Sequence, residues 1–241
     1  MKKSSNGILA IIVLTLLSAG ALWFSVPEWL VTMKPATDFN EISDSELRAG
    51  LHVEGDVYAL LDSYASEQTW TEHEHGVTPK KTSKIYYILP VGEQSCIGLE
   101  VRAEDKRLYN DITDATLSYM FGETEYIESD PVHFEGQIVK MDDELYQYLL
   151  EWFQESEYFG TTDEAAIKEY VPSYLMRPFS PGLYTMLAIA GVFVLADVIA
   201  VAILLVRRKK RRARAEEKLY APSVAVPPTD SGRDALKRLQ Q

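Results

Sequence analysis

Residues Gly182 to Val206 form an apolar run broken by a single charge, Asp197, and followed at once by Arg207-Arg-Lys-Lys-Arg-Arg-Ala-Arg214. As a helix the run is about 37 Å long, enough to cross a bilayer with some tilt. A basic block next to a membrane span stays on the cytoplasmic side. The chain preceding the run is therefore expected outside the cytoplasm, and the residues after it inside. Arg207, Arg208, Lys209, Lys210, Arg211, Arg212 and Arg214 would then meet anionic lipid headgroups.

A second apolar stretch, Ile8 to Val26, follows a seven-residue N-terminus carrying Lys2 and Lys3. Two readings stand. A signal peptide would be cleaved near Ala19 and Ala21, which have the A-x-A arrangement. An anchor would continue through Leu22, Trp23 and Phe24, with Trp23 and Trp29 at the outer interface. The run persists past the candidate cleavage site, which favours the anchor. The expected organisation is a cytoplasmic N-terminus (1–7), a first transmembrane helix (8–26), an extracytoplasmic domain (27–181), a second transmembrane helix (182–206) and a largely disordered basic tail (207–241).

Charge follows the same division. Between Val26 and Pro181 there are 31 acidic and 11 basic side chains, a net of −20 in a chain whose total is −12. That balance argues against nucleic-acid binding by the domain, since the phosphate contacts of nucleic acid need a basic surface. The lone Cys96 excludes an intramolecular disulfide, but some 150 residues bury enough surface to fold without one.

Within the domain the pattern is α+β. Leu51–Tyr58 alternates, with Val53 and Val57 on one face and His52, Glu54 and Asp56 on the other, as a half-buried strand does. Ser43 or Asp44 caps a short helix before it. Ala59–Trp70 reads as a short helix or a continuation of the strand, and Thr71–Lys84 as a polar loop. Lys84–Pro90 and Cys96–Arg102 form a hairpin. Ala103–Met120 is a helix with Leu108, Ile112, Ala115 and Tyr119 as its apolar face. Pro131–Lys140 is another alternating strand. Asp142 and Asp143 open a helix that buries Leu145, Leu149, Trp152 and Phe153. Thr162–Val171 is a shorter helix, and Tyr174–Pro181 is a lead into the second span.

Three groups of residues are candidates for function. His52-Val-Glu-Gly-Asp-Val57 recurs as His133-Phe-Glu-Gly-Gln-Ile138. Were these strands neighbours, His52, Glu54, His133 and Glu135 could converge with zinc-type ligand chemistry. His73 and His75, alternating in Glu72-His-Glu-His75, are a second candidate pair; the bland alternative for both is solvated polar side chains. Asp197 is the third. Charges inside a span usually face protein or water and have a partner. In an antiparallel pair of spans Thr15 and Ser18 would lie close to it, and Ala196 with Ala200 has the small-xxx-small spacing of closely packed helices. No catalytic motif is present: neither G-x-S-x-G, a P-loop nor H-E-x-x-H. No cofactor is implied.

The short N-terminus, the Gly50-x-x-Val-Glu-Gly55 strand, the Tyr86-Tyr87-Ile88 strand and the closing span with its basic stop together resemble uncharacterised two-span membrane proteins of Gram-positive bacteria. That resemblance brings no activity or site residue with it. The expected function is a membrane-anchored interaction or scaffold domain, an accessory subunit of an envelope complex, partnered by the membrane and by another membrane or envelope protein or a second copy. The alternatives are an extracytoplasmic metal-dependent enzyme, and a sensor that signals through a cytoplasmic partner.

Overall fold

The structure, a computed structural model, describes residues 5–69, 72–73, 76–77 and 81–220. The chain divides into two compact units, one of Met1–Ala19 with Ile189–Gln241 and one of Gly20–Ala188.

The second unit is built on the hairpin that the apolar run Ile85–Leu89 announces. Strand β6 (Lys81–Val91) pairs with β7 (Ser95–Arg102) through Gly92-Glu93-Gln94, where Gly92 takes a positive φ of 63° against the Asp44 side chain. Successive β6 side chains bury on opposite faces. Ile85, Tyr87, Leu89 and Val91 join one core cluster, while Tyr86 and Ile88 join the other. A strand covered on both faces needs a continuous apolar run rather than alternation.

Around the hairpin lie β1 (Thr37–Asp38), β2 (His52–Val57), β3 (Ser63–Thr69), β8 (Val132–Lys140) and β9 (Tyr174–Pro178), giving a seven-stranded mixed sheet of order β1-β2-β8-β9-β7-β6-β3. A separate two-residue pair joins β4 (Glu72–His73) to β5 (Gly76–Val77). Helix α2 (Lys106–Met120) packs Tyr109 and Ile112 onto one face of the sheet. Helices α3 (Asp143–Ser156) and α4 (Glu164–Tyr170) pack Leu145, Leu149, Leu150, Phe153 and Ile167 onto the other. Each such side chain removed from water contributes about 1.5–3 kcal/mol. Asp142 caps α3 by accepting from the Leu145 amide at 2.9 Å, and acidic side chains fill the first turn, as the helix dipole favours.

Several expectations are corrected. Among the described residues 59–69 there is no helix: Ser63–Thr69 is the edge strand β3, drawn into extended form by pairing with β6 although its side chains are mostly exposed; Trp70 lies outside the described residues. The polar segment after it contains β4 and β5, and β6 begins at Lys81. Tyr174–Pro178 is no mere lead but β9, lying between β8 and β7, with Pro178 at its last position where the missing donor costs least. Helix α2 buries the expected Ile112 but is rotated so that Leu108 and Tyr119 are about half exposed while Thr113 and Thr116 are buried. Both hydroxyls donate to carbonyls one turn back, on Tyr109 and Ile112, and Thr116 also accepts from the Leu60 amide at 3.2 Å. Threonine satisfied in this way can be buried. The expected short helix through Arg48 is a single 3-10 turn, Asp44–Glu46, held by reciprocal bonds between Ser43 and Glu46.

Two long helices complete the chain. α1 (Ser5–Thr32) runs past the expected end of the first span and through Pro27, and α5 (Leu183–Tyr220) carries the basic block as a continuation of the helix. Ile12–Thr32 and Leu183–Arg214 are each long and apolar enough to cross a membrane.

Candidate functional site

The two echoing strands are neighbours. β2 and β8 pair antiparallel with Glu54 opposite Glu135, His52 opposite Gln137 and Asp56 opposite His133. Two like charges face each other at the centre, an arrangement that is unfavourable alone. The histidines resolve it crosswise. His52 Nε2 lies 3.2 Å from Glu135 Oε1, and His133 Nε2 lies 3.5 Å from Glu54 Oε1. His133 Nδ1 is also 3.1 Å from Asp56 Oδ1.

The two histidines differ in setting. His133 is open to solvent, but only 6% of His52 is exposed. His52 Nδ1 lies 2.8 Å from the Lys34 carbonyl oxygen, which can only accept, so Nδ1 carries a proton. The Phe179 ring meets the imidazole edge-on at 5.2 Å. His52 thus touches the segment leaving α1, the segment entering α5 and the strand beside its own.

The expected convergence as metal ligands is a poor fit. The carboxylates of Glu54 and Asp56 approach opposite nitrogens of His133, so no single ion could meet all three, and both nitrogens of His52 are engaged by protein acceptors. Among the described residues no group of three His, Cys, Asp or Glu side chains gathers as a metal site. His73 lies in β4, while Glu74 and His75 are outside the described residues.

Around His52 the two connectors are tied down, a feature the sequence reading missed. The Glu28 carboxylate accepts from both the amide and the hydroxyl of Ser180, the latter at 2.9 Å. Lys34 Nζ donates to the Gly50 carbonyl at 2.7 Å, and Arg102 Nη2 donates to the Phe179 carbonyl at 3.3 Å. One residue from β9's end, Arg177 Nε donates to buried Glu100 at 3.0 Å, and Lys84 neutralises the other carboxylate oxygen at 3.3 Å. A buried carboxylate with two cations satisfies the pairing that burial of charge demands. Gly136 lets β8 approach this junction: a Cβ there would lie 2.2 Å from the Arg177 carbonyl oxygen.

In the other unit, Asp197 lies on α5 with its Oδ1 buried and without a hydrogen-bond partner among the described residues. Ser18 is buried on α1, but its hydroxyl donates to the Leu14 carbonyl of its own helix at 2.9 Å. Thr15 sits on an exposed face of α1. Ala190 is fully buried, and the side chains of Arg207–Arg214 are exposed.

An open hollow of about 390 Å³ lies between the β6–β7 turn and Tyr158, Phe159 and Tyr170. Its Cys96 is no nucleophile near neutral pH. Burial, with the Asp44 charge adding to it, pushes the thiol up to about 12.

A family model described as a domain of unknown function, DUF8577, matches residues 1–207, from the N-terminus through both apolar helices and the domain between them. No curated protein and no solved structure matches the chain. By that match over most of its length, the chain belongs to the DUF8577 family.

Proposed function

We propose that this protein is a membrane-anchored accessory subunit. Its two apolar helices hold the α+β domain outside the cytoplasm, and Asp197 docks a transmembrane helix of a partner that supplies a basic or hydroxyl donor. The observation that carries the reading is the buried Oδ1 of Asp197, without a hydrogen-bond partner among the described residues, within an apolar helix. A charge at the centre of a span costs about 2.5–3.5 kcal/mol on insertion scales, and such residues ordinarily find partners. Of the two candidate donors within the chain, Ser18 is committed to Leu14 and Thr15 is exposed on α1. The bonds from Glu28 to Ser180, and from His52 to Lys34 and Glu135, support the same reading. They fix the domain to the segments leaving α1 and entering α5, as suits a scaffold held in one orientation.

The test is purification of the full chain in mild detergent as wild type, Asp197→Asn and Asp197→Leu. Docking through Asp197 predicts that a membrane protein co-purifies with wild type, is weakened by Asn, which keeps an acceptor, and is lost with Leu. Retention of the same partner by Asp197→Leu would refute it. Light scattering of the particle separates a foreign partner from a second copy of the chain.

A further inference from the structure

The domain is strongly acidic, yet its basic residues are not scattered. Lys81 and Lys84 open β6, Arg102 ends β7 opposite Lys84, and Lys106 and Arg107 open α2, so five of the eleven basic residues between Val26 and Pro181 fall at the neighbouring ends of β6, β7 and α2. β7 runs parallel to β9, with Leu99 beside Met176, so Arg102 lies level with Phe179 and bonds its carbonyl. Four residues later the chain enters α5 at Leu183. This basic corner therefore flanks the point where the domain meets the apolar helix. Of its cations Lys81 and Arg102 line an open hollow of about 430 Å³, together with Thr69, Thr82, Ser83 and Glu104.

Two local features point to an anion from outside the chain. Lys106 and Arg107 are exposed in the first turn of α2, where the helix dipole disfavours cations and no acidic residue shares that turn; Asp111, one turn on from Arg107, offsets it only in part. Glu104 and Asp105 in the preceding 3-10 turn compensate in part. Glu104 reaches Arg102 only at 3.9 Å and is itself 74% exposed, a weak contact that an anion could displace. Thr69 and Ser83 donate to the Lys81 and Glu67 carbonyls, so the side-chain cations supply the attraction. Lys84 is engaged by Glu67 and Glu100 and serves the fold.

We propose that the rim of Lys81, Arg102, Lys106 and Arg107 rests on phosphate-bearing headgroups of anionic lipids in the leaflet that α5 enters. The inference depends on the membrane-anchored reading above and gives it a second contact. An acidic domain is repelled by an anionic surface, and at this corner the exposed cations locally relieve that repulsion. Basic side chains near such a surface strengthen binding roughly fivefold each at moderate ionic strength, and the effect decays within a Debye length.

The full chain is placed in nanodiscs of phosphatidylcholine alone or mixed with phosphatidylglycerol, and hydrogen exchange is followed at the amides of Ala103–Arg107, which lack complete intrahelical bonding. The expected result is slowing of several-fold with phosphatidylglycerol only, reversed by salt and abolished by Lys106→Glu with Arg107→Glu in a chain that still enters the discs. Equal exchange in both lipids would overturn the proposal. So would equal slowing by inorganic phosphate added to phosphatidylcholine discs, which would assign the corner to a free anion. A chain that enters neither kind of disc would instead refute the anchored reading on which the proposal rests.

Discussion

Replacing Gly136 by alanine tests the arrangement that joins the sheet to the second long helix. Gly136 pairs with Pro178, the last residue of β9, and its added Cβ would stand 2.2 Å from the Arg177 carbonyl oxygen and 2.9 Å from its carbon. These are backbone atoms, so no rotamer change relieves the contact. β8 and β9 must separate by about 1 Å, weakening ladder hydrogen bonds worth about 1 kcal/mol each and disturbing Arg177 with its bond to buried Glu100. A loss of about 3–4 kcal/mol is expected. Two controls separate crowding from the mere loss of a glycine. Gly98→Ala meets the Tyr64 hydroxyl and the ends of Leu175 and Met141, which can move, and is expected to cost about 1–2 kcal/mol. Gly122→Ala meets nothing within 4 Å and suffers only from its φ of 74°, about 1 kcal/mol. The assay is urea unfolding of the full chain in mild detergent, followed by tryptophan fluorescence. Should Gly136→Ala cost no more than Gly122→Ala, β9 does not lie against β8 as described.

The crossed histidine pairs give a second contrast. His52→Ala leaves the Lys34 carbonyl without its donor and exposes a gap against Phe179, so a loss of about 2–3 kcal/mol is expected in the same unfolding assay. His133→Ala removes only solvent-exposed contacts and is expected to cost under about 1 kcal/mol; equal losses would contradict the burial of His52. Alkaline pH should unfold the domain. Burial pushes the pKa of Tyr64 and Tyr86 well above the usual phenol value and lifts those of Tyr87, Tyr109 and Cys96 to about 12. These groups ionise more readily when unfolded. Their stabilisation is therefore complete below their ordinary values of 9.0 for the thiol and 10.0 for the phenols, and it is lost as pH climbs towards 12. A urea midpoint that stayed constant across that window would contradict this.

What could be read in advance follows from how local each signal is. The Ile85–Leu89 run, the alternation of Val132–Lys140 and the acidic cap of α3 are local features that the fold keeps unchanged. β3 is an edge strand of ordinary polar residues held by β6, so its own sequence carries no strand pattern. β9 has five residues and a terminal proline, too few to show a period. The turn of α2 depends on two threonines whose hydroxyls bond within the helix, which an apolar count misreads. For the site, the His-x-Glu-Gly echo is visible in the letters, but its crosswise pairing is tertiary. The Glu28–Ser180 bond joins residues 152 positions apart and has no local trace. Asp197 is legible because a lone carboxylate in an apolar run stands out from the letters alone.

The central claim is that the acidic domain and the basic tail lie on opposite sides of a membrane. The single cysteine makes it directly measurable, because Cys96 is buried with its thiol protonated and gives no background labelling. Cysteines are introduced at exposed Asp114 on α2 and, in a separate chain, at Ser223 beyond the basic block. They are then treated in intact cells with a membrane-impermeant maleimide. The account predicts labelling of Asp114→Cys in intact cells and of Ser223→Cys only after permeabilisation. Labelling of both in intact cells, or the reverse order, would contradict it.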